Sequence, residues 1–174
     1  MMEYTRVSRK SKDYRSIEKL MLTAFPPEER IPIWMLNLLA KQRNVNFNAW
    51  YDNNELCGVT YTIESEKMIF LLYFAVNAQI RSKGYGSRII EEVKKIAGER
   101  EIILNVEKPE ESAENNAQRV RRIAFYERNG FVLCDFNLQI EGTDYLVFST
   151  KAVSDREEFG RMLKKYRIGK IQAK

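Results

Sequence analysis

Two glycines, Gly84 and Gly86, lie in a short basic segment, residues 81–87, that also contains Arg81 and Lys83. Phosphate groups bind well where backbone amides converge at the start of a helix, because these amides lack intrahelical partners and the helix dipole favours negative charge. Glycines let the backbone approach a diphosphate closely, and the two cations balance its charge. The segment predicts either a diphosphate-binding loop or, more simply, a glycine-rich turn with surface charges.

Two familiar phosphate-binding motifs do not fit this segment. The dinucleotide-binding fingerprint needs a third glycine, and this chain has Ile89 at that position. The Walker loop needs a Gly-Lys-Ser/Thr run, which the sequence lacks. A diphosphate site here therefore belongs to another class of protein.

The sequence contains no histidine. This excludes Ser-His-Asp and Cys-His nucleophile pairs, a histidine general base and every histidine metal site. Proton transfer must run through Glu, Asp, Tyr, Lys, Cys or water. The two cysteines, Cys57 and Cys134, lie in apolar, strand-like segments and are expected to be reduced core thiols.

Residues 81–87 are the glycine segment. The helices and strands around it are predicted from the spacing of the apolar residues. Met68–Val76 is a predicted strand that leads into the segment. A helix is predicted next, with Gly98 as its C-cap, because four residues recur at about one turn: Tyr85, Ile89, Val93 and Ile96. The apolar run Ile102–Val106 predicts a buried strand, so strand, helix and strand form a parallel crossover.

Further segments are predicted on both sides of this crossover. Before it come a strand within Met2–Ser8, helices at Ile17–Ala24 and Ile31–Gln42, and strands at Val45–Tyr51 and Glu55–Ile63, which Asp52-Asn53-Asn54 joins as a hairpin. After it come a helix at Val120–Arg128, ended by Gly130, and strands at Phe131–Ile140 and Tyr145–Thr150. Together with Met68–Val76, the hairpin predicts an antiparallel meander.

The last segment, residues 151–174, reads as an amphipathic helix with a basic tail. Ser154 and Glu157 have the spacing of a capping box. An apolar stripe follows at helical period and consists of Phe159, Met162, Leu163 and Tyr166. We expect this helix to pack on the same domain or on a partner subunit.

Two motifs resemble those of the GCN5-related N-acetyltransferases (GNAT family). The segment from Arg81 to Gly86 matches the family's Arg/Gln-x-x-Gly-x-Gly/Ala motif, and its context from Leu72 to Ile90 agrees. Downstream, the segment from Arg122 to Phe131 resembles the family's second motif, a helix that ends in an aromatic-Tyr pair followed by Gly-Phe. The resemblance covers roughly residues 3 to 150.

The resemblance implies a mixed α/β (α+β) fold in a single domain, residues 1–150. The family has a central sheet of about seven strands, an N-terminal antiparallel meander, a splayed parallel central pair and flanking helices. It also implies acetyl-CoA as cosubstrate, without a metal. The implied coenzyme contacts are the main chain of Phe74, Ala75 and Val76 and the loop residues Arg81, Ser82, Lys83, Gly84, Tyr85, Gly86 and Ser87. Arg119 departs from the family's pattern, and together with Arg121 and Arg122 it either contacts the coenzyme's phosphates or belongs to a basic helix face in water.

The resemblance further implies direct acetyl transfer to an amine. Tyr126 matches the tyrosine that many members use as the acid for the departing thiolate. The general base varies in the family, and the candidates here are Glu107, at the end of the predicted strand Ile102–Val106, and Glu28. Arg119 stands where the family often has an asparagine, so a coenzyme contact through that asparagine is not carried over.

The acceptor and surroundings are less defined by the sequence. We expect a primary amine of a small molecule or peptide as acceptor, a monomer or homodimer, a cytoplasmic location, and no nucleic acid or membrane partner. The length of 174 residues favours one domain, and the net charge of +5 gives only mild attraction to anions. A non-catalytic acyl-CoA-binding or regulatory domain on the same fold is the alternative.

Overall fold

The computed structural model of the protein describes residues 2–80 and 83–173. The described residues form eight strands and five helices, which is the predicted mixed α/β class. They group into two compact units. The first comprises the residues through Glu64 together with Leu71–Ile96, and the second comprises Ser65–Phe70 and the residues from Ala97 onward. No helix within the described ranges is both long and apolar enough to cross a membrane.

The first unit is built on an antiparallel meander. Its elements, in chain order, are β1 (Glu3–Arg6), α1 (Tyr14–Ala24), a short 3-10 turn (Pro27–Glu29), α2 (Ile33–Leu39), β2 (Val45–Asp52), β3 (Glu55–Glu64), the larger part of β4 (Met68–Val76), a second 3-10 turn (Ala78–Ile80) and α3 (Tyr85–Ala97). The strands lie in the order β1-β2-β3-β4. Fully buried Phe47, Trp50 and Tyr61 fill its core together with Ile17 of α1 and Leu36 of α2.

The β2–β3 hairpin has the predicted tight turn and an irregularity beside it. Asn53 and Asn54 adopt left-handed backbone angles, with φ of 49° and 64°, which asparagine tolerates. Trp50 pairs with Gly58 but Tyr51 pairs with Leu56, so β3 carries one extra residue at Cys57. Such a bulge increases the local twist and redirects nearby side chains.

Gly58 allows three elements of the first unit to approach closely. A Cβ atom on this residue would lie 2.5 Å from the carbonyl oxygen of Ala75 and 2.9 Å from Cδ1 of Ile89. The side of β3 that faces α3 therefore has no space for a side chain at this position. The glycine brings the start of α3 down onto the meander.

The second unit contains a sheet with non-sequential order. Its elements are β5 (Glu101–Glu107), α4 (Asn116–Arg128), β6 (Val132–Ile140), β7 (Thr143–Ser149), α5 (Arg156–Tyr166) and β8 (Lys170–Ala173). β7 pairs antiparallel with both β5 and β6, and β8 pairs antiparallel with β6. Phe159 of α5 is fully buried and makes an edge-to-face contact with Phe70, at a centroid distance of 5.0 Å.

A buried carboxylate fixes the start of α5 in the second unit. Glu101 is 1% exposed and accepts hydrogen bonds from the hydroxyl of Ser149 (2.6 Å), the hydroxyl of Ser154 and the backbone amide of Asp155 (3.0 Å). The side chain of Asp155, in turn, caps the helix by accepting from the amide of Glu158. The N-cap is therefore Asp155, and the predicted capping box at Ser154 and Glu157 is wrong.

The described residues form one strand more than the roughly seven that were expected. The extra strand is β8, which pairs Phe136–Gln139 of β6 with residues of the predicted basic tail. The second predicted helix, Ile31–Gln42, is shorter than expected and spans Ile33–Leu39. Pro32 immediately precedes it, and a proline disfavours the helical conformation in the residue before it.

Candidate functional site

The glycine segment leads into α3 as the sequence predicts. Gly84 has a φ of 72°, a left-handed conformation that favours glycine, and its carbonyl accepts the first helical hydrogen bond from the amide of Arg88 (3.1 Å). The amides of Tyr85, Gly86 and Ser87 lie in the first turn, where amides have no intrahelical acceptor. These amides can bind an anion such as a diphosphate.

The remaining predicted coenzyme contacts of the first unit have different surroundings. Lys83 is exposed, so its ammonium group can balance charge on a bound anion. Phe74 and Val76 are half-buried at the end of β4, whereas Ala75 is buried and its carbonyl faces Gly58. The predicted contacts at Arg81 and Ser82 lie outside the described residues.

Asn77 anchors the chain where it leaves β4. Its backbone amide donates to the carbonyl of Cys57 (2.8 Å), and its side-chain amide donates to the carbonyl of Leu56 (2.9 Å). Both carbonyls belong to the bulged part of β3. The side-chain oxygen of Asn77 also accepts from the amide of Gln79 (3.1 Å), which supports the 3-10 turn that follows. One residue thus fixes the beginning of the segment that reaches α3.

A carboxylate at the end of β2 anchors the other end of this segment. Oδ2 of Asp52 accepts from the hydroxyl of Tyr85 (3.1 Å) and from the guanidinium of Arg88 (2.9 Å). The Arg88 hydrogen bond is the main reason that the pKa of Asp52 is lowered, and the Tyr85 hydroxyl adds to it. The Arg88 guanidinium also lies 5.1 Å from the centre of the Tyr85 ring. The side chain of Tyr85 therefore binds the β2–β3 hairpin, while its backbone amide lies in the first turn of α3, where it can bind an anion.

The candidate base Glu28 lies in the turn between α1 and α2. Its side chain is exposed, within the 3-10 turn Pro27–Glu29. The turn is held against β4 by Tyr73, whose hydroxyl donates to the carbonyl of Glu29 (2.6 Å) and accepts from the amide of Ile31 (3.1 Å). Phe25 packs edge-to-face on the Tyr73 ring at 4.9 Å. Burial raises the pKa of Tyr73, so this hydroxyl stays neutral and serves as a structural link.

In the second unit, Glu107 and Arg119 form an ion pair. Glu107 is 6% exposed at the end of β5. Nε of Arg119 lies 3.1 Å from Oε2 of the carboxylate, and its Nη2 donates to Oε1 (3.2 Å). Asn115 donates to Oε2 (3.1 Å) and accepts from Nε of Arg119 (2.9 Å), while Nη1 of Arg119 donates to the carbonyl of Lys108 (2.8 Å). Each guanidinium nitrogen of Arg119 is therefore used within this cluster.

Tyr126, the candidate acid, is buried in α4 and has aromatic neighbours. Its ring makes edge-to-face contacts with Phe125 (5.2 Å) and Phe131 (5.6 Å). Burial raises the pKa of Tyr126 to about 12, against a smaller opposite effect of the nearby Arg122 charge. Among the described residues, none forms a hydrogen bond with its hydroxyl. The phenol is thus protonated at neutral pH and free to donate to a ligand.

Within each unit, several residues with clear positions were not identified from the sequence. Asp52, Asn77 and Tyr73 hold the elements of the first unit, and Asn115 completes the ion-pair cluster of the second. The sequence Asp52-Asn53-Asn54 predicts a tight turn, and the Asp52 carboxylate beside that turn is also a candidate partner for a cation elsewhere in the chain. No comparable signal in the sequence indicates Tyr73, whose role depends on a residue 44 positions away.

Comparison with known protein families shows the family to which this chain belongs. A family model for the acetyltransferase (GNAT) domain matches residues 43–133, just over half of the chain. The chain belongs to the GNAT acetyltransferase family. The match contains the glycine segment and Tyr126 of this GNAT protein. A search among curated protein sequences found no match.

Solved structures show the same fold for the GNAT protein. A GNAT-family acetyltransferase from Bacteroides thetaiotaomicron is 24% identical, with a TM-score of 0.77 over 95% of this chain and 96% of that one. A GNAT acetyltransferase from Elizabethkingia anophelis, solved with acetyl-CoA bound, is 14% identical, with a TM-score of 0.60 over 86% and 97%. Arabidopsis thaliana Naa50, solved with the bisubstrate analogue CoA-Ac-MVNAL, is 21% identical, with a TM-score of 0.58 over 86% and 98%.

Proposed function

We propose that this GNAT protein is an acetyl-CoA-dependent N-acetyltransferase that moves the acetyl group directly to a primary amine of a small molecule or peptide. The observation that carries the proposal is Tyr126, a buried phenol that stays protonated and has no described hydrogen-bond partner for its hydroxyl. Such a group keeps its proton at neutral pH and can donate it to a departing thiolate. Its match to the family's tyrosine supports the same role.

The coenzyme is proposed to bind through the glycine segment and the end of β4. The first-turn amides of Tyr85, Gly86 and Ser87 would bind the diphosphate, with Lys83 close by in sequence. The acetyl-CoA bound to the Elizabethkingia protein supports this ligand for the fold. Arg119, a further expected contact, has its guanidinium committed to Glu107, Asn115 and Lys108, so a coenzyme contact there requires this cluster to rearrange.

The proposed reaction has three events. The amine lone pair attacks the thioester carbonyl carbon and forms the amide C–N bond. The C–S bond breaks, and the thiolate takes the proton of the Tyr126 hydroxyl. The amine loses one proton, which the proposal assigns to a carboxylate, either Glu107 or Glu28. Both oxygens of Glu107 already accept hydrogen bonds from Arg119 and Asn115, so an amine proton would compete with these donors for the carboxylate, whereas Glu28 is exposed.

The acidic residues and the relatives support the proposed acceptor class. Glu28 and the adjacent Glu29 favour a cationic amine over an anionic one. The bisubstrate analogue bound to the Arabidopsis protein joins coenzyme A to a peptide, which supports a peptide N-terminus as one acceptor class. Polyamines and aminoglycosides are the small-molecule candidates.

The test is a screen of amines with the purified protein. Acetyl-CoA is incubated with polyamines, aminoglycosides and short peptides, and free thiol release is measured together with the mass of the acetylated product. Acetylation of at least one amine, with turnover strongly reduced in Tyr126→Phe, is the expected result. Tight binding of acetyl-CoA without transfer to any amine would instead favour the non-catalytic acyl-CoA-binding alternative.

A further inference from the structure

Both ends of the segment between β4 and α3 are attached to the same hairpin. Asn77 binds the carbonyls of Leu56 and Cys57 at one end, and Asp52 binds Tyr85 and Arg88 at the other. The hairpin contributes no residue to the proposed diphosphate site. The hairpin nevertheless contacts the chain on both sides of the glycine segment, at Asn77 and at Arg88, and these contacts set the position of that segment.

We propose that Asp52 is a positioning residue for coenzyme binding, because it fixes the first turn of α3 whose amides would bind the diphosphate. This inference rests on the proposed function, since it assigns a role within the same coenzyme site. Asp52 itself has no part in the transfer chemistry. It acts through Tyr85 and Arg88.

The turn and the bulge explain why a β2 carboxylate can reach a helix. Asn53 and Asn54 close the hairpin directly after Asp52, and the extra residue Cys57 shifts the register so that Tyr51 pairs with Leu56. At this position the Asp52 side chain is only 18% exposed and has two donors on one oxygen. The carboxylate is therefore held by its partners and does not sample solvent freely.

The positions of Tyr85 and Arg88 allow the Asp52 carboxylate to fix the orientation of the first turn of α3. Tyr85 and Arg88 are three residues apart, so they lie on the same side of α3. A cation in the first turn opposes the helix dipole, and Asp52 offsets that unfavourable charge. The contact fixes the rotation of the helix start, and with it the direction in which the amides of Gly86 and Ser87 point.

The alternative role for Asp52 is purely electrostatic. In that case the carboxylate only neutralises Arg88 and repels a bound anion, and its removal would release the guanidinium to bind phosphate more tightly. The two roles predict opposite changes in coenzyme affinity. This makes the sign of the change decisive.

The test measures coenzyme A binding by calorimetry for the wild type and three variants. Asp52→Ala removes the charge and both acceptors, whereas Asp52→Asn keeps one carbonyl acceptor. Asp52→Ala is expected to weaken binding about tenfold, because it removes charge-assisted hydrogen bonds. Asp52→Asn is expected to weaken binding about threefold, because a weaker, neutral hydrogen bond remains. The matched control is Glu55→Gln, the same charge change on an exposed residue across the same turn, with binding unchanged.

Kinetics and hydrogen exchange separate positioning from a general loss of structure. The acetyl-CoA KM of Asp52→Ala should rise while kcat stays within about twofold, because Tyr126 is untouched. Without any ligand, exchange of the Arg88 amide, which donates to the carbonyl of Gly84, should be faster in Asp52→Ala than in Glu55→Gln. Unchanged exchange of the Arg88 amide overturns the positioning role whether or not the protein binds coenzyme A.

The remaining outcomes are also decisive. Wild-type affinity or tighter binding in Asp52→Ala overturns the inference and leaves the proposed function standing. Failure of the wild type to bind coenzyme A contradicts the proposed function itself. Faster exchange together with weaker binding supports both.

Discussion

Two buried tyrosines, Tyr85 and Tyr126, belong to the two motifs of this protein and have different partners. They are similarly buried, 7% and 6% exposed. The hydroxyl of Tyr85 donates to Asp52, whereas no described residue forms a hydrogen bond with the hydroxyl of Tyr126. The Tyr85 hydroxyl is therefore part of the structure of the first unit, whereas the Tyr126 hydroxyl has no such partner among the described residues and is available for the role proposed above.

The substitution Tyr126→Phe gives the largest expected effect. It removes only the hydroxyl, so kcat should fall roughly a hundredfold, in the range that acid catalysis contributes. The acetyl-CoA KM should change by less than about threefold, because the diphosphate site is untouched. Steady-state kinetics of thiol release measure both constants, and Tyr85→Phe, the same chemical change in the other motif, is the control. Equal kcat in Tyr126→Phe and wild type would contradict the proposed role of the Tyr126 hydroxyl as the acid.

Alkaline unfolding tests the burial of the Tyr126 phenol. Its folded pKa is about 12, above the value near 10 in an unfolded chain. Below pH 10 both states keep the proton, and between about pH 10 and 12 only the folded state keeps it. The free energy of unfolding should therefore fall by about 1.4 kcal/mol per pH unit in that window through this group alone. Because other tyrosines also titrate, the measured quantity is the difference between wild type and Tyr126→Phe in urea titrations.

The ion pair at the start of α4 tests whether the helix that carries Tyr126 is held by Glu107. Glu107→Gln leaves the mostly buried Arg119 guanidinium without its counterion, so the free energy of unfolding should fall by about 1–3 kcal/mol. Urea unfolding measures this. We also expect the acidic limb of the pH–rate profile to be kept, since Arg119 and Asn115 already occupy the carboxylate. Loss of that limb would identify Glu107 as the general base.

Tyr85→Phe has the smallest expected effect. It removes one of the two hydrogen bonds to Asp52 and leaves Arg88 in place, so coenzyme A affinity should weaken by about two- to threefold, with kcat unchanged. Calorimetry and steady-state kinetics measure the two quantities. A large loss of kcat in this variant would mean that the two tyrosines do not divide their roles as their contacts indicate.

The sequence predicts the elements of this fold well where the signal is local. The bounds of β4 are as predicted, and Gly84, Gly98 and Gly130 have the positive φ angles expected of a turn and two helix ends. Each depends only on apolar period or on the conformational freedom of glycine within a few residues. The fold class and the GNAT resemblance are confirmed for the same reason, since both motifs are short and contiguous.

Contacts between distant positions were not predictable in the same way. Asp52 reaches Tyr85 and Arg88 across 33 and 36 residues, and nothing near Asp52 in sequence indicates those partners. The capping error at α5 has the same origin, because the Ser154 hydroxyl is taken by Glu101, 53 residues earlier. The roles of Glu107, Glu28 and Arg119 in catalysis and coenzyme binding stay predictions.

The hydrogen bonds at Glu101 have a practical consequence for protein engineering. Ser149 and Ser154 both donate to this one carboxylate, so Glu101 holds both ends of the loop between them. Lys151, Ala152 and Val153 are exposed, with Val153 86% exposed. Lengthening a loop whose ends are already fixed costs only about 0.6 kcal/mol per doubling. An affinity tag or a fluorophore-labelling peptide inserted between Ala152 and Val153 should therefore be tolerated.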